Sequence, residues 1–106
     1  MNYHSDHNNP TAAQDDDIEI VNGALTLARA LRDDVVTRGS SPLCCADFVD
    51  GVARTIRTAS RRINHPTARD EVWRFGAYVL DTAREDLDAL ICDYLSTAQA
   101  LVEDGE

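Results

Sequence analysis

Between Ile20 and Val35 the apolar residues Ile20, Val21, Ala24, Leu25, Ala28, Leu31 and Val35 recur three and four positions apart, with polar residues between them. That spacing draws one apolar stripe along a helix and predicts a helix over 17–38. The acids Asp15 to Asp17 suit the positive end of a helix dipole, and Gly39 with the serines after it ends the run. Gly23 costs about 1 kcal/mol relative to alanine inside a helix, so the first turn is expected to fray or to begin late.

A second helix is predicted over 42–63. Ser41 reads as its N-cap and Pro42 as its first residue, because serine accepts an orphan amide bond and proline has no amide to leave unpaired. Cys45, Phe48, Val49, Val52, Ile56, Ala59 and Ile63 then share one arc, and Arg54, Arg57 and Arg61 point away from it towards solvent. Asn64, His65 and Pro66 interrupt the pattern, and Thr67 with Asp70 three residues on resembles an acidic capping box.

From Ala68 to Glu103 the stripe Val72, Gly76, Val79, Ala83, Leu87, Leu90, Tyr94, Ala98 and Leu101 runs on, widened by Trp73, Leu80, Ile91 and Val102. Its average period is about 3.6, which predicts one long, straight third helix over 68–103. That helix would span about 54 Å against about 33 Å for each of the others. Two short helices cannot cover it, so Leu90, Ile91, Tyr94 and Leu101, with Leu95 and Val102, need a second chain, a bend or a partner. A homodimer is the favoured solution. The expected architecture is all-α, a three-helix bundle with a long C-terminal helix, residues 16–106 forming one domain behind a mobile polar tail at 1–15.

Composition adjusts this picture in four respects. Six aromatics leave the core to Leu, Val, Ile and Ala, as helical packing prefers. No apolar run approaches the ~20 residues of a membrane span, so a soluble, cytoplasmic protein is expected. All ten basic residues are arginine, which excludes a lysine Schiff base and a P-loop lysine. The net charge of −9 divides into −6 over residues 1–53, +4 over 54–74 and −7 over 75–106. An acidic molecule thus carries one basic belt.

Candidate chemistry is sparse. Cys44, Cys45, Cys92, His4, His7 and His65 are the soft metal ligands, but adjacent cysteines diverge by about 100° on a helix and rarely share an ion. No metal and no cofactor is expected. Cys44, in the first turn of a helix, would have a lowered pKa and suits a thiol sensor, yet no base stands near it for nucleophilic catalysis. Arg54, Arg57, Arg61 and Arg62, with Arg69 and Arg74, offer phosphate contacts around a helix-turn-helix-like joint, although acidic segments flank them. Asp81, Glu85 and Asp88 form a row along the predicted third helix, an acidic ridge suited to a basic groove of a partner. Arg74, Phe75 and Tyr78 break the amphipathic rule and are of the types enriched at interface hot spots.

These features favour a small non-enzymatic protein that binds another protein stoichiometrically, as adaptor, regulator or inhibitor. Its contacts would be Arg74, Phe75, Tyr78, Asp81, Glu85 and Asp88. A sharper version is a phage-type inhibitor that covers a basic nucleic-acid channel. The alternatives are a dimeric DNA-binding regulator using the arginine belt and a thiol or metal sensor at Cys44.

Overall fold

The computed structural model describes residues 10–38, 46–82 and 84–104, all helical apart from the connections. Helix α1 is Pro10–Arg38, α2 is Ala46–Ser60 and α3 is Pro66–Tyr78, tightened at its end by a 3-10 turn over Val79–Asp81. A fourth helix, α4, fills 84–104: a 3-10 turn at Arg84–Asp86, an α-turn at Leu87–Leu90, a π-helical stretch at Ile91–Ser96 and an α-helix at Thr97–Asp104. The class is all-α, as the periodicity predicts, but the long third helix is two helices. The residues around Ser41, Pro42, Cys44 and Cys45 lie outside the described residues.

The division falls at Thr82, which is extended (φ −91°, ψ 132°). In a continuing helix its amide would donate to the carbonyl of Tyr78. Instead its hydroxyl donates to that carbonyl at 3.0 Å, and its amide bonds Val79 O at 3.3 Å. A side chain has taken over the backbone's bond, and the helix stops without leaving that carbonyl bare.

Past the break the chain folds back. Four bonds from three side chains run down α1 against α4 in opposite order. Gln14 donates to Val102 O and Glu103 O, both at 3.0 Å, Gln99 donates to Asn22 Oδ1 at 2.9 Å, and Arg32 donates to Asp88 at 2.8 Å. α1 and α4 are therefore antiparallel, and a four-helix bundle results in which α1 and α3 each touch both α2 and α4. Gln14 also shows that the expected tail is shorter than residues 1–15, because residues 10–15 belong to α1 and serve the last carbonyls of α4.

The core takes Val21, Ala24, Leu25, Ala28, Leu31 and Val35 from α1 and Val49, Ala53 and Ile56 from α2. From α3 come Ala68, Val72 and Phe75, and from α4 Leu87, Ile91, Leu95, Ala98 and Val102. Leu87 and Ala98 of the predicted stripe are buried, and Ile91 and Val102, expected to widen it, join them with Leu95 where Leu90, Tyr94 and Leu101 were expected to lead. The wider turn of the π-helix brings Leu87, Ile91 and Leu95, four apart, into line with Ala98 and Val102. Ile91 is core, and Leu90, Tyr94 and Leu101 pack partly buried beside it. The stripe, for which a second chain, a bend or a partner was expected, bends back and is buried in large part against α1 and α3.

α2 ends in i to i−3 bonds from Arg61, Arg62 and Ile63 to Thr58, Ala59 and Ser60. The turn that follows is held by Asp17, a carboxylate only 4% exposed. Asn64 donates to its Oδ1 through its amide at 2.7 Å and its side chain at 3.2 Å, and the His65 amide donates to Oδ2 at 2.9 Å. The cap of α3 is His65, not Thr67: its Nδ1 accepts from Ala68 N at 3.2 Å, and Pro66 holds the first helical position. Because Nδ1 accepts, the ring proton sits on Nε2, which is buried with no partner among the described residues.

Two stability predictions follow from this turn. Asp17→Ala strips three donors of their acceptor and lowers the unfolding free energy by about 3 kcal/mol in urea titration, and Asp17→Asn, which keeps one acceptor oxygen, loses about half as much. His65→Ala costs about 1 kcal/mol through the lost cap, whereas His65→Asn, a better cap without the buried orphan N–H, is at least as stable as the native chain.

Candidate interaction face

The expected contact patch does not hold together. Phe75 is fully buried, because α3 packs against both α2 and α4 and its buried arc is wider than one stripe. Tyr78 is 46% exposed, its ring 5.8 Å from that of Tyr94 and tilted by 56°. Arg74 is exposed and pairs with Asp70 at 3.1 Å. The acidic row is divided as well. Asp81 precedes the break and Glu85 and Asp88 follow it, so they are not successive turns of one helix. Asp88 is further engaged by Arg32, whose guanidinium its hydrogen bond, followed by that of Asp33, holds above the ordinary arginine pKa.

The arginine belt is thinner than its sequence. Arg54 pairs with Asp50 at 2.6 Å. Arg57 is turned inward rather than to solvent: its Nη1 donates to the carbonyl of Gly76 at 2.8 Å. A Cβ at residue 76 would stand 2.6 Å from Arg57 Cγ and 3.1 Å from Ala53 O, so the arginine stem occupies the space that glycine leaves. Arg57 is a clamp between α2 and α3. Arg61, Arg62 and Arg69 make no ion pair with any described residue.

Two of these three meet at a feature that the stripe reading missed. Trp73, the only tryptophan of the chain, is 44% exposed instead of packed in the core. It lines a recess of about 410 Å³ at the joint of α2 and α3, with Arg61, Pro66, Thr67, Arg69 and Asp70 around it. Arg69 sits one helical turn before Trp73, beyond the cap at His65, and that i, i+4 pair of types is the signal the sequence held. The recess offers a flat apolar wall and two guanidinium groups to a ligand, with Asp70 already committed to Arg74.

Among the described residues no three His, Cys, Asp or Glu side chains are grouped so as to hold a metal ion. Cys92 is an exposed free thiol within the π-helical stretch, and Cys44 lies outside the described residues. None of the described helices is long and apolar enough to cross a membrane. No family model matches the chain, and neither does any curated protein or solved structure.

The clamp can be tested directly. Gly76→Ala gains about 1 kcal/mol of helix preference but meets overpacking of about 1–3 kcal/mol and a lost hydrogen bond, so it destabilises by about 1–2 kcal/mol. In the Arg57→Ala background the Cγ contact is gone and the cost of Gly76→Ala falls, a coupling that a double-mutant cycle of urea unfolding measures.

Proposed function

We propose that the chain is a stoichiometric protein-binding module, an adaptor, regulator or inhibitor, whose contact face is the α2–α3 joint centred on Trp73. The observation that carries this reading is a lone tryptophan left half exposed in a recess beside two arginines that make no ion pair among the described residues. Tryptophan and arginine dominate interface hot spots because they combine large apolar area with directional hydrogen bonding. A folded chain of this size gains nothing internally from leaving Trp73 in water. The fitting partner presents an apolar or aromatic side chain flanked by carboxylates. The work is placed in the cytoplasm, where an exposed thiol such as Cys92 stays reduced.

A nucleic acid would stack on Trp73 and pair with the same arginines. The protein reading is preferred because Arg54, Arg57 and Arg74 are engaged within the chain, which leaves few cations for phosphates on a molecule of net charge −9. The deciding experiment is a pull-down from host lysate, with and without nuclease, using the native chain, Trp73→Ala and Arg61→Glu/Arg69→Glu. A stoichiometric partner that survives nuclease and binds Trp73→Ala about 30-fold or more weakly is expected. Loss of capture on nuclease treatment moves the function to nucleic acid, and full capture by both variants removes this face from it.

A further inference from the structure

α4 lies on a face of α1 and α3 that is apolar and fitted to it. Leu87, Ile91, Leu95, Ala98 and Val102 are buried there, and Gln14, Asn22 and Arg32 of α1 are bonded to it along its length. Nothing in those contacts requires that α4 and the face beneath it belong to one chain. That is decided at the break alone, where only Thr82 and Ala83 stand between the 3-10 turn ending at Asp81 and the one starting at Arg84.

The break has no local cause. From Ala77 to Asp104 there is no glycine and no proline. The hydroxyl of Thr82 bonds the carbonyl four residues back, as those of Thr26 and Thr55 do within unbroken helices, so that bond survives when the segment is straight. The Thr82 amide reaches only Val79 O, three residues back at 3.3 Å, and the turns on either side are 3-10, whose bonds have poorer geometry than those of an α-helix. Straightening improves these bonds, and what it costs a lone chain is the burial of α4. A second copy straightened in the same way returns that burial, since each chain gives the helix that it receives and a twofold closes the pair. A short connection between two helices that could run as one invites such exchange.

We propose that the break at Thr82 is a hinge and that α4 exchanges between two copies of the chain. In the exchanged dimer residues 66–104 form one helix of about 58 Å. Each α4 fills the other chain's bundle with the contacts it makes in its own. This is the long helix that the sequence period predicts, completed by a second chain. The Trp73 recess lies at the α2–α3 joint, away from the hinge, and the exchange holds whether or not that recess binds a protein.

To test this, the full chain is unfolded in urea, refolded at a series of concentrations and separated by size-exclusion chromatography with light scattering. Circular dichroism shows that each variant is folded. The native chain is expected to give monomer and dimer in proportions set by the refolding concentration, interconverting slowly because α4 must first leave its bundle. Thr82 already has the extended conformation that a residue before proline takes, so Ala83→Pro should leave the monomer folded. It bars a continuous helix and should lower the dimer yield about tenfold or more. Thr82→Ala favours helix over the extended form and should strengthen association about fivefold.

The exchange itself is read by refolding an Arg32→Asp chain mixed with an Asp88→Arg chain. Within either chain the two positions are like-charged, whereas the exchanged heterodimer sets opposite charges together at both sites. Native mass spectrometry should find the heterodimer about threefold over the two homodimers together. A dimer formed through any other face keeps these pairs within their own chains and gives no such excess. A native chain that is monomeric after refolding at every concentration overturns the proposal. So does a dimer that Ala83→Pro leaves unchanged, or a mixture without an excess of heterodimer.

Discussion

The bundle turns on the extended backbone of Thr82, where the hydroxyl takes the place of the amide on the carbonyl of Tyr78. That bond lets α3 stop without a bare carbonyl, and a helix that stops there can be followed by one that comes back. Without the stop, the apolar residues after Leu87 would extend past α1 and α2 into water. With it, Leu87, Ile91, Leu95 and Val102 are buried against the bundle. Burying one such side chain stabilises by about 1.5–3 kcal/mol, so together they outweigh the few helix bonds left unmade at the break. Bending within the chain buries most of the long apolar stripe, with Leu90, Tyr94 and Leu101 left partly buried.

Much of this was legible in the sequence, and what was not has identifiable causes. The face of α1 was readable, since Val21, Ala24, Leu25, Ala28, Leu31 and Val35 are all buried as their spacing implies and Ile20 packs partly buried beside them. The interruption at Asn64 to Pro66 was readable too. So in principle was the cap: proline at the first helical position assigns the cap to the residue before it, and only the unusual choice of histidine obscured this. The break at Thr82 was not legible. Thr26 and Thr55 make the same bond, to Asn22 O and Gly51 O, inside helices that run on unbroken. What separates Thr82 from them is the burial that its break makes available, and burial is a property of the whole chain. The turn of the stripe towards Ile91, Leu95 and Val102 was not legible either, because a stripe read at 3.6 residues per turn cannot register a wider π-turn.

The candidate site was less legible than the fold, for a related reason. Pairs such as Asp50 with Arg54 and Asp70 with Arg74 are local and can be found from the spacing. Arg57 was assigned to solvent by counting around one helix, but α3 approaches so closely at Gly76 that a residue on the flank of α2 is drawn into the contact. Trp73 was assigned to the core by hydrophobicity alone. The core of α3 is instead completed by Phe75 and Val72, which leaves the tryptophan beyond the arc that two neighbouring helices can cover.

The arginine belt, a single feature in the sequence, is therefore several features in space. Arg57 is structural, and Arg54 and Arg74 are neutralised on their own helices. Arg61 and Arg62, adjacent in the chain just past the end of α2, diverge to the Trp73 recess and the α1–α2 groove respectively. The recess thus receives Arg61 beside Arg69 and Trp73, and the groove receives Arg62, none of them ion-paired among the described residues. A cluster that would read phosphates if it stayed together becomes two modest patches when the helix ends between them. Such patches favour carboxylates set among apolar side chains over a continuous polyanion.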